Sequence, residues 1–220
     1  MHARNRFDLF PEDDNRAGVI IGTGPSLTKD QLSKVSHLKK FGCNNAIFAT
    51  PLDVFHACNI GWYDHYWPQI KDISCDKWTW SRETADKYGI NHIEGRWADG
   101  LSTDPGYIHL HHGAGPQLVN LAYHYGCKKM ILIGWDMRYH GKNNRYNYEK
   151  RHFFGEYPAE LQHWPQTGPD GELTGLIKEM ETIKPADYGI EIINCTPGSA
   201  MKCFPEKSLD AVLDGYDKLT

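Results

Sequence analysis

The stretch Val19-Ile20-Ile21-Gly22-Thr23-Gly24-Pro25-Ser26-Leu27 constrains this chain more than any other. Its apolar, β-branched start reads as a buried strand. Two glycines, a proline and a serine then read as a tight turn. Thr28 and Gln31 follow at the spacing of a capping box, which opens a helix. Strand, glycine turn and helix in that order form a concavity of backbone N–H groups suited to an anion, usually a phosphate. The same residues also suit a plain strand-to-helix turn in an α/β protein. Position 27 is Leu, where a G-x-G-x-x-G fingerprint needs its third glycine, and no Gly-Lys-Ser/Thr follows to complete a P-loop. Dinucleotide and P-loop readings are therefore disfavoured.

A chain of 220 residues suits one domain. The expected division is a polar lead-in over 1–16 and a single α/β domain over 17–220. A net charge of −4 argues against a surface built throughout for nucleic acid. No apolar run approaches a membrane span, and the N-terminal residues lack the apolar core of a signal peptide. The six cysteines are scattered without C-x-x-C spacing, so no structural zinc site is legible and reduced thiols in a cytoplasmic protein are expected.

Along the chain, a helix is expected near 28–36, a second strand over Cys43–Ala49, and a third apolar run over Asp53–Asn59. An aromatic-rich helix follows, stopped by Pro68. Next come a short strand around Trp78, a helix from a Ser81 cap to Gly89, a brief strand at 91–93 and a loop over 94–105. Gly113-Ala114-Gly115-Pro116 forms a second glycine turn, with Pro116 at the first position of a helix. Lys129–Gly134 is the strongest strand, with Trp135-Asp136 at its carboxyl end. Residues 138–175 form the longest irregular stretch, and a loop of that length suggests a lid. A last strand at 190–195 and a helix capped by Ser208 close the chain.

Strands alternate with helices, so the predicted fold is α/β, a Rossmann-like open and mainly parallel sheet with helices on both faces and a lid-like insertion. Ligands of such sheets bind beyond the strands' carboxyl ends. Four polar clusters are expected there: 22–26, 44–45, 113–117 and 134–139. His111-His112 beside a glycine turn raises metal binding, but adjacent residues of an extended chain point opposite ways, and no metal site is assigned.

The runs GTGPSL, CNNAIF, KMILIGWDMRY and INCTPGSAMKCFP resemble a superfamily of nucleotide-binding enzymes. It holds the Campylobacter-type sialyltransferases and the DUF115 proteins, including 6-hydroxymethylpterin diphosphokinases, with short relatives in bacteriophages. The resemblance spans roughly residues 17–205. It implies that Gly22, Thr23, Gly24, Pro25, Ser26 and Asn44 bind the nucleotide and that Gly113, Gly115, Gly134, Trp135 and Asp136 line the same pocket. The turn's second residue, usually Asn, is Thr23 here. The resemblance also implies lid tyrosines on the leaving phosphate and a histidine base. Tyr139, Tyr146 and Tyr148 are available, with Arg138, Arg145 and Arg151 for charge. Among His140, His152 and His163, His152 is favoured as the base, with Tyr139 and Arg138 as its catalytic partners.

Glycosyl transfer needs a stabilised leaving phosphate, a base near neutrality and exclusion of water. The residues supply each, so the expected function is sugar transfer from a nucleotide donor to an unidentified acceptor. Three alternatives stay open. One is a phospho- or diphosphotransferase using Mg2+, for which Asp136 offers a first carboxylate. The others are a nucleotide hydrolase and a non-catalytic nucleotide- or nucleic-acid-binding module. A nucleic-acid acceptor would meet the basic strip Lys142, Arg145, Lys150 and Arg151. No membrane partner is expected, and self-assembly into a homo-oligomer is left open.

Overall fold

The computed structural model describes residues 7, 9–10, 16–139, 150–162 and 167–217. Seven parallel strands form one open sheet in the order β5-β4-β3-β2-β1-β8-β9. They are β1 (Ala17–Ile21), β2 (Lys39–Cys43), β3 (Val54–His56), β4 (Asp76–Thr79), β5 (Asn91–His92), β8 (Lys129–Ile133) and β9 (Glu191–Asn194). The chain builds outward from β1 to β5, then returns to the other side of β1 for β8 and β9. The order therefore reverses between β1 and β8, which pair from Ala17↔Lys129 to Ile21↔Ile133. A reversal of this kind leaves a crevice at the strands' carboxyl ends. The fold is the open Rossmann-like α/β arrangement that the alternating pattern predicts.

Side-chain alternation sorts the core into two layers. Ile20, Met130, Leu132 and Ile192 face one side and pack on helix α4 (Ala114–His124) and on Met180 of α5 (Thr174–Glu181). Val19, Ile21, Ile131, Ile133 and Ile193 face the other. That layer meets α2 (Ile60–Ile70), α6 (Leu209–Asp217) and Val35, the residue that ends α1 (Lys29–Lys34). Phe7 and Phe10 of the expected lead-in join the first layer. Phe7 stacks on Trp78 at 5.3 Å, and Phe10 is buried.

Local signals account for several element ends. Thr28 and Gln31 complete the capping box at α1. Ser81 caps α3 (Arg82–Tyr88), and Gly89 closes it in the left-handed conformation at φ 65°.

Five expectations are corrected. The second strand is Lys39–Cys43 rather than Cys43–Ala49, because Asn44 turns to φ 48° and 44–48 winds into a 3-10 helix. Pro68 does not stop α2, which runs on to Ile70. The hydrogen bond that Pro68 forgoes is to the carbonyl of Asp64, an exposed residue in the preceding turn. Residues 94–105 are not all loop, since β6 (Glu94–Trp97) pairs in parallel with β7 (Tyr107–Leu110) as a separate two-stranded sheet. Pro116 is the third residue of α4, not the first, for Gly113 is the N-cap. Proline is tolerated throughout a first turn, where N–H groups have no partner one turn back. The cluster at 113–117 thus reaches the crevice on the N-terminus of α4, because β7 lies outside the main sheet.

Candidate functional site

Beyond the ends of β1 and β8 lies a cavity of about 210 Å³. Three loops build it. The turn after β1 supplies Gly22, Thr23 and Gly24, the turn after β8 supplies residues 134–139, and the N-terminus of α4 supplies residues 113–116. Asn44 lines it from the end of β2, and Arg151, His152 and Tyr157 cover it. Two further chambers, of about 400 and 300 Å³, share Gly113 and Tyr157 with it.

The first two loops are locked together. The Gly22 amide donates to the Ile133 carbonyl at 2.9 Å and the Gly24 amide to the Gly134 carbonyl at 2.8 Å. Asp136, 3 % exposed, accepts from the Ser26 hydroxyl at 2.8 Å. A Cβ on Gly24 would overlap Asp136 Oδ2 and lie 2.7 Å from the Gly134 carbonyl oxygen. The glycine at 24 is therefore demanded by contact with the neighbouring turn. Phosphate approach was the expected reason, and the contact is sufficient without it.

Trp135 forms the floor. Its Nε1 donates to the Ile20 carbonyl at 2.8 Å, and its amide donates to Thr196 Oγ1 at 2.9 Å. Its ring lies 3.0 Å from where a Cβ on Gly115 would stand, and Leu176 of α5 lies 2.6 Å from the corresponding point on Gly113. Gly113 caps α4 without a side-chain hydrogen bond. The first turn of an 11-residue helix thus opens on the cavity with no capping side chain over it.

The covering segment is aromatic and basic. Phe153 donates its amide to the Thr23 carbonyl at 3.1 Å. His152 Nδ1 lies 3.4 Å from Thr23 Oγ1, and its ring stacks on Phe154 at 5.0 Å with Tyr157 edge-on at 4.9 Å. Burial pulls the His152 imidazole below its ordinary pKa and pushes the Tyr139 and Tyr157 phenols above theirs. The Arg151 guanidinium lies 5.6 Å over the Tyr139 ring and 3.4 Å from Glu156. At the base of the loop, Tyr139 donates its amide to Gly171 and Leu173 donates its amide to Met137, which brings the two ends together.

Of the predicted site residues, Gly22, Thr23, Gly24, Asn44, Gly113, Gly115, Gly134, Trp135, Asp136, Arg138, Tyr139 and His152 all line the one cavity. Pro25 and Ser26 do not line it, and Ser26 acts on it only through Asp136. The neighbouring Asn45 turns into the core, where Trp62 Nε1 donates to it at 2.8 Å. His140, Lys142, Arg145, Tyr146, Tyr148 and His163 lie outside the described residues. Cys43, Tyr157, Leu173 and Leu176 complete the lining without a signal in the sequence. They arrive from three separate segments. Among the described residues no group of three His, Cys, Asp or Glu side chains is placed to hold a metal ion, and no helix is long and apolar enough to cross a membrane. Comparison with known proteins finds no matching family model, no similar curated protein and no similar solved structure.

Proposed function

We propose that the protein transfers a sugar from a nucleotide donor held in this cavity, with the leaving phosphate at the open N-terminus of α4. One observation carries the reading. Three loops converge at the sheet's switch point, one of them the N-terminus of α4 with no side-chain cap, under an arginine and two phenols. Parts of three of the motifs that resemble the sialyltransferase-like and DUF115 proteins, residues 22–24, 43–44 and 134–139, line this cavity, which supports kinship with that superfamily.

The chemistry follows from the groups in hand. First-turn N–H groups of α4 and the Arg151 guanidinium would meet the charge that develops on the phosphate oxygen as the anomeric bond breaks. Tyr139 and Tyr157, held protonated by burial, would donate hydrogen bonds to it. The aromatic cover limits access of water. Asp136, the carboxylate in the cavity lining, is committed to Ser26. That commitment makes a magnesium-dependent phosphotransfer the weaker reading.

A thermal-shift panel of nucleoside monophosphates, triphosphates and nucleotide sugars, each with and without Mg2+, tests it. A ligand at a hundred times its dissociation constant stabilises by about 2.7 kcal/mol. One nucleotide and its sugar conjugate should raise Tm without Mg2+. Stabilisation by a triphosphate only with Mg2+ would favour phosphotransfer. No shift with any nucleotide would overturn the proposal.

A further inference from the structure

Beside the donor cavity, the 400 and 300 Å³ chambers are both lined by His112. His112 occupies the loop between β7 and α4, one residue before the α4 cap. Its Nδ1 lies 2.6 Å from Glu179 Oε1 on α5, and the same oxygen accepts the His112 backbone N–H at 2.8 Å. Two bonds to one carboxylate oxygen hold the ring's orientation. The other oxygen, Glu179 Oε2, is buried without a partner among the described residues, so the carboxylate's charge is directed at His112. The imidazole itself is 84 % exposed while the glutamate is 15 % exposed. A neutral ring that donates from Nδ1 carries its lone pair on Nε2, the nitrogen turned away from Glu179. The Trp97 ring, 66 % exposed, flanks it at 5.3 Å.

His152 also lines the 400 Å³ chamber, but its ring is held differently. It is enclosed by Phe154, Tyr157 and Tyr139, and its Nδ1 faces Thr23. Its place is that of a packing residue that seats the covering segment on the turn after β1.

We infer that His112, oriented by Glu179, is the general base for an acceptor hydroxyl bound in the chamber adjoining the donor cavity. This rests on the donor reading above. In the step, the acceptor O–H gives its proton to His112 Nε2 as its oxygen bonds the anomeric carbon. The bond from that carbon to the phosphate oxygen breaks, and the electron pair leaves with the phosphate. The imidazolium, paired with Glu179, then returns its proton to water. Glu179 is a positioning residue, since it acts through His112.

Two measurements on the intact chain test this. Long-range 1H–15N spectra report the His112 tautomer. The wild-type ring should be Nδ1–H, and Glu179→Leu should convert it largely to Nε2–H. Glu179→Gln, which keeps an acceptor oxygen, should retain Nδ1–H and guards against a folding artefact in the leucine variant. An Nε2–H ring in the wild type overturns the inference. The second measurement is release of nucleotide from the nucleotide sugar that stabilises the protein best. His112→Gln should lower kcat by roughly 10²-fold or more while leaving KM for the donor within about threefold, since the interaction lost is made in the transition state. An unchanged kcat also overturns it. If no nucleotide binds at all, the donor reading falls separately, and the tautomer then decides whether the His112–Glu179 pair is poised as a base.

Discussion

The Ser26 hydroxyl donates to Asp136 Oδ2 across 2.8 Å and 110 residues of chain. This bond ties the turn after β1 to the turn after β8 at the point where the sheet reverses. The same two turns are joined by the Gly22 and Gly24 amides. The tie therefore governs the geometry of the cavity as well as the stability of the strand ends.

Removing Asp136 leaves the part-buried Ser26 hydroxyl and amide without this acceptor. Asp136→Ala should cost about 1–3 kcal/mol, the usual penalty for orphaning a buried polar partner. Ser26→Ala should cost at least as much, because it takes a donor from a carboxylate that is 3 % exposed. In urea unfolding the double variant should be less destabilised than the sum of the single ones, because the same bond is removed twice. Strict additivity would mean that the bond contributes nothing in solution.

Gly24→Ala should lower stability before it touches any ligand, since its Cβ would overlap Asp136. Overpacking of this kind costs typically about 1–3 kcal/mol. Gly215, inside α6 with open space around it, is the control. There alanine should stabilise by up to about 1 kcal/mol. Chemical denaturation of the two variants distinguishes a crowded glycine from a dispensable one.

Stability should fall as the solution is acidified. His56 is fully buried, donates from Nε2 to Gln117 Oε1 at 2.8 Å, and is held by burial at a pKa of about 4. Its folded pKa lies below its unfolded value near 6.5, so the unfolded chain binds the extra proton. The stabilising effect is complete above pH ~6.5 and is lost as pH falls toward 4, on the order of 2 kcal/mol by pH 5. His111 and His124 are shifted in the same direction by burial. His56→Gln should flatten the fall in the urea midpoint between pH 7 and pH 5.

Arg151 lies 3.4 Å from Glu156, and both face the chamber next to the donor cavity. If the guanidinium meets a phosphate, Arg151→Ala should weaken nucleotide binding by about tenfold or more, the worth of a charge-assisted hydrogen bond. Glu156→Gln should tighten it, because a competing carboxylate is removed. Calorimetric titration with the nucleotide found by thermal shift reads both.

Much of the architecture was legible from order and period. The alternating pattern of strands and helices, the capping box at Thr28, the Ser81 cap with Gly89, and the run Lys129–Ile133 all act within a few residues. The misread elements fail for a shared reason. Lys39 and Lys40 begin β2, ahead of the strand expected from Cys43, because the neighbouring strands select which stretch extends. Glu94–Trp97 is a strand only because Tyr107–Leu110 pairs with it. The expected role of Gly24 was that of a phosphate cradle, yet the atom that forbids a side chain there belongs to Asp136.

The sequence by itself determined the class of fold, the reversal-point motifs and most of the residues around the cavity. Each of these is written in short-range pattern, turn chemistry and capping. Only the tertiary structure decided which polar groups face one another. Ser26 with Asp136, His56 with Gln117, and His112 with Glu179 are pairs separated by 110, 61 and 67 residues. No local propensity records such a distance. It is set by how the sheet orders its strands and by how α4 and α5 pack across it.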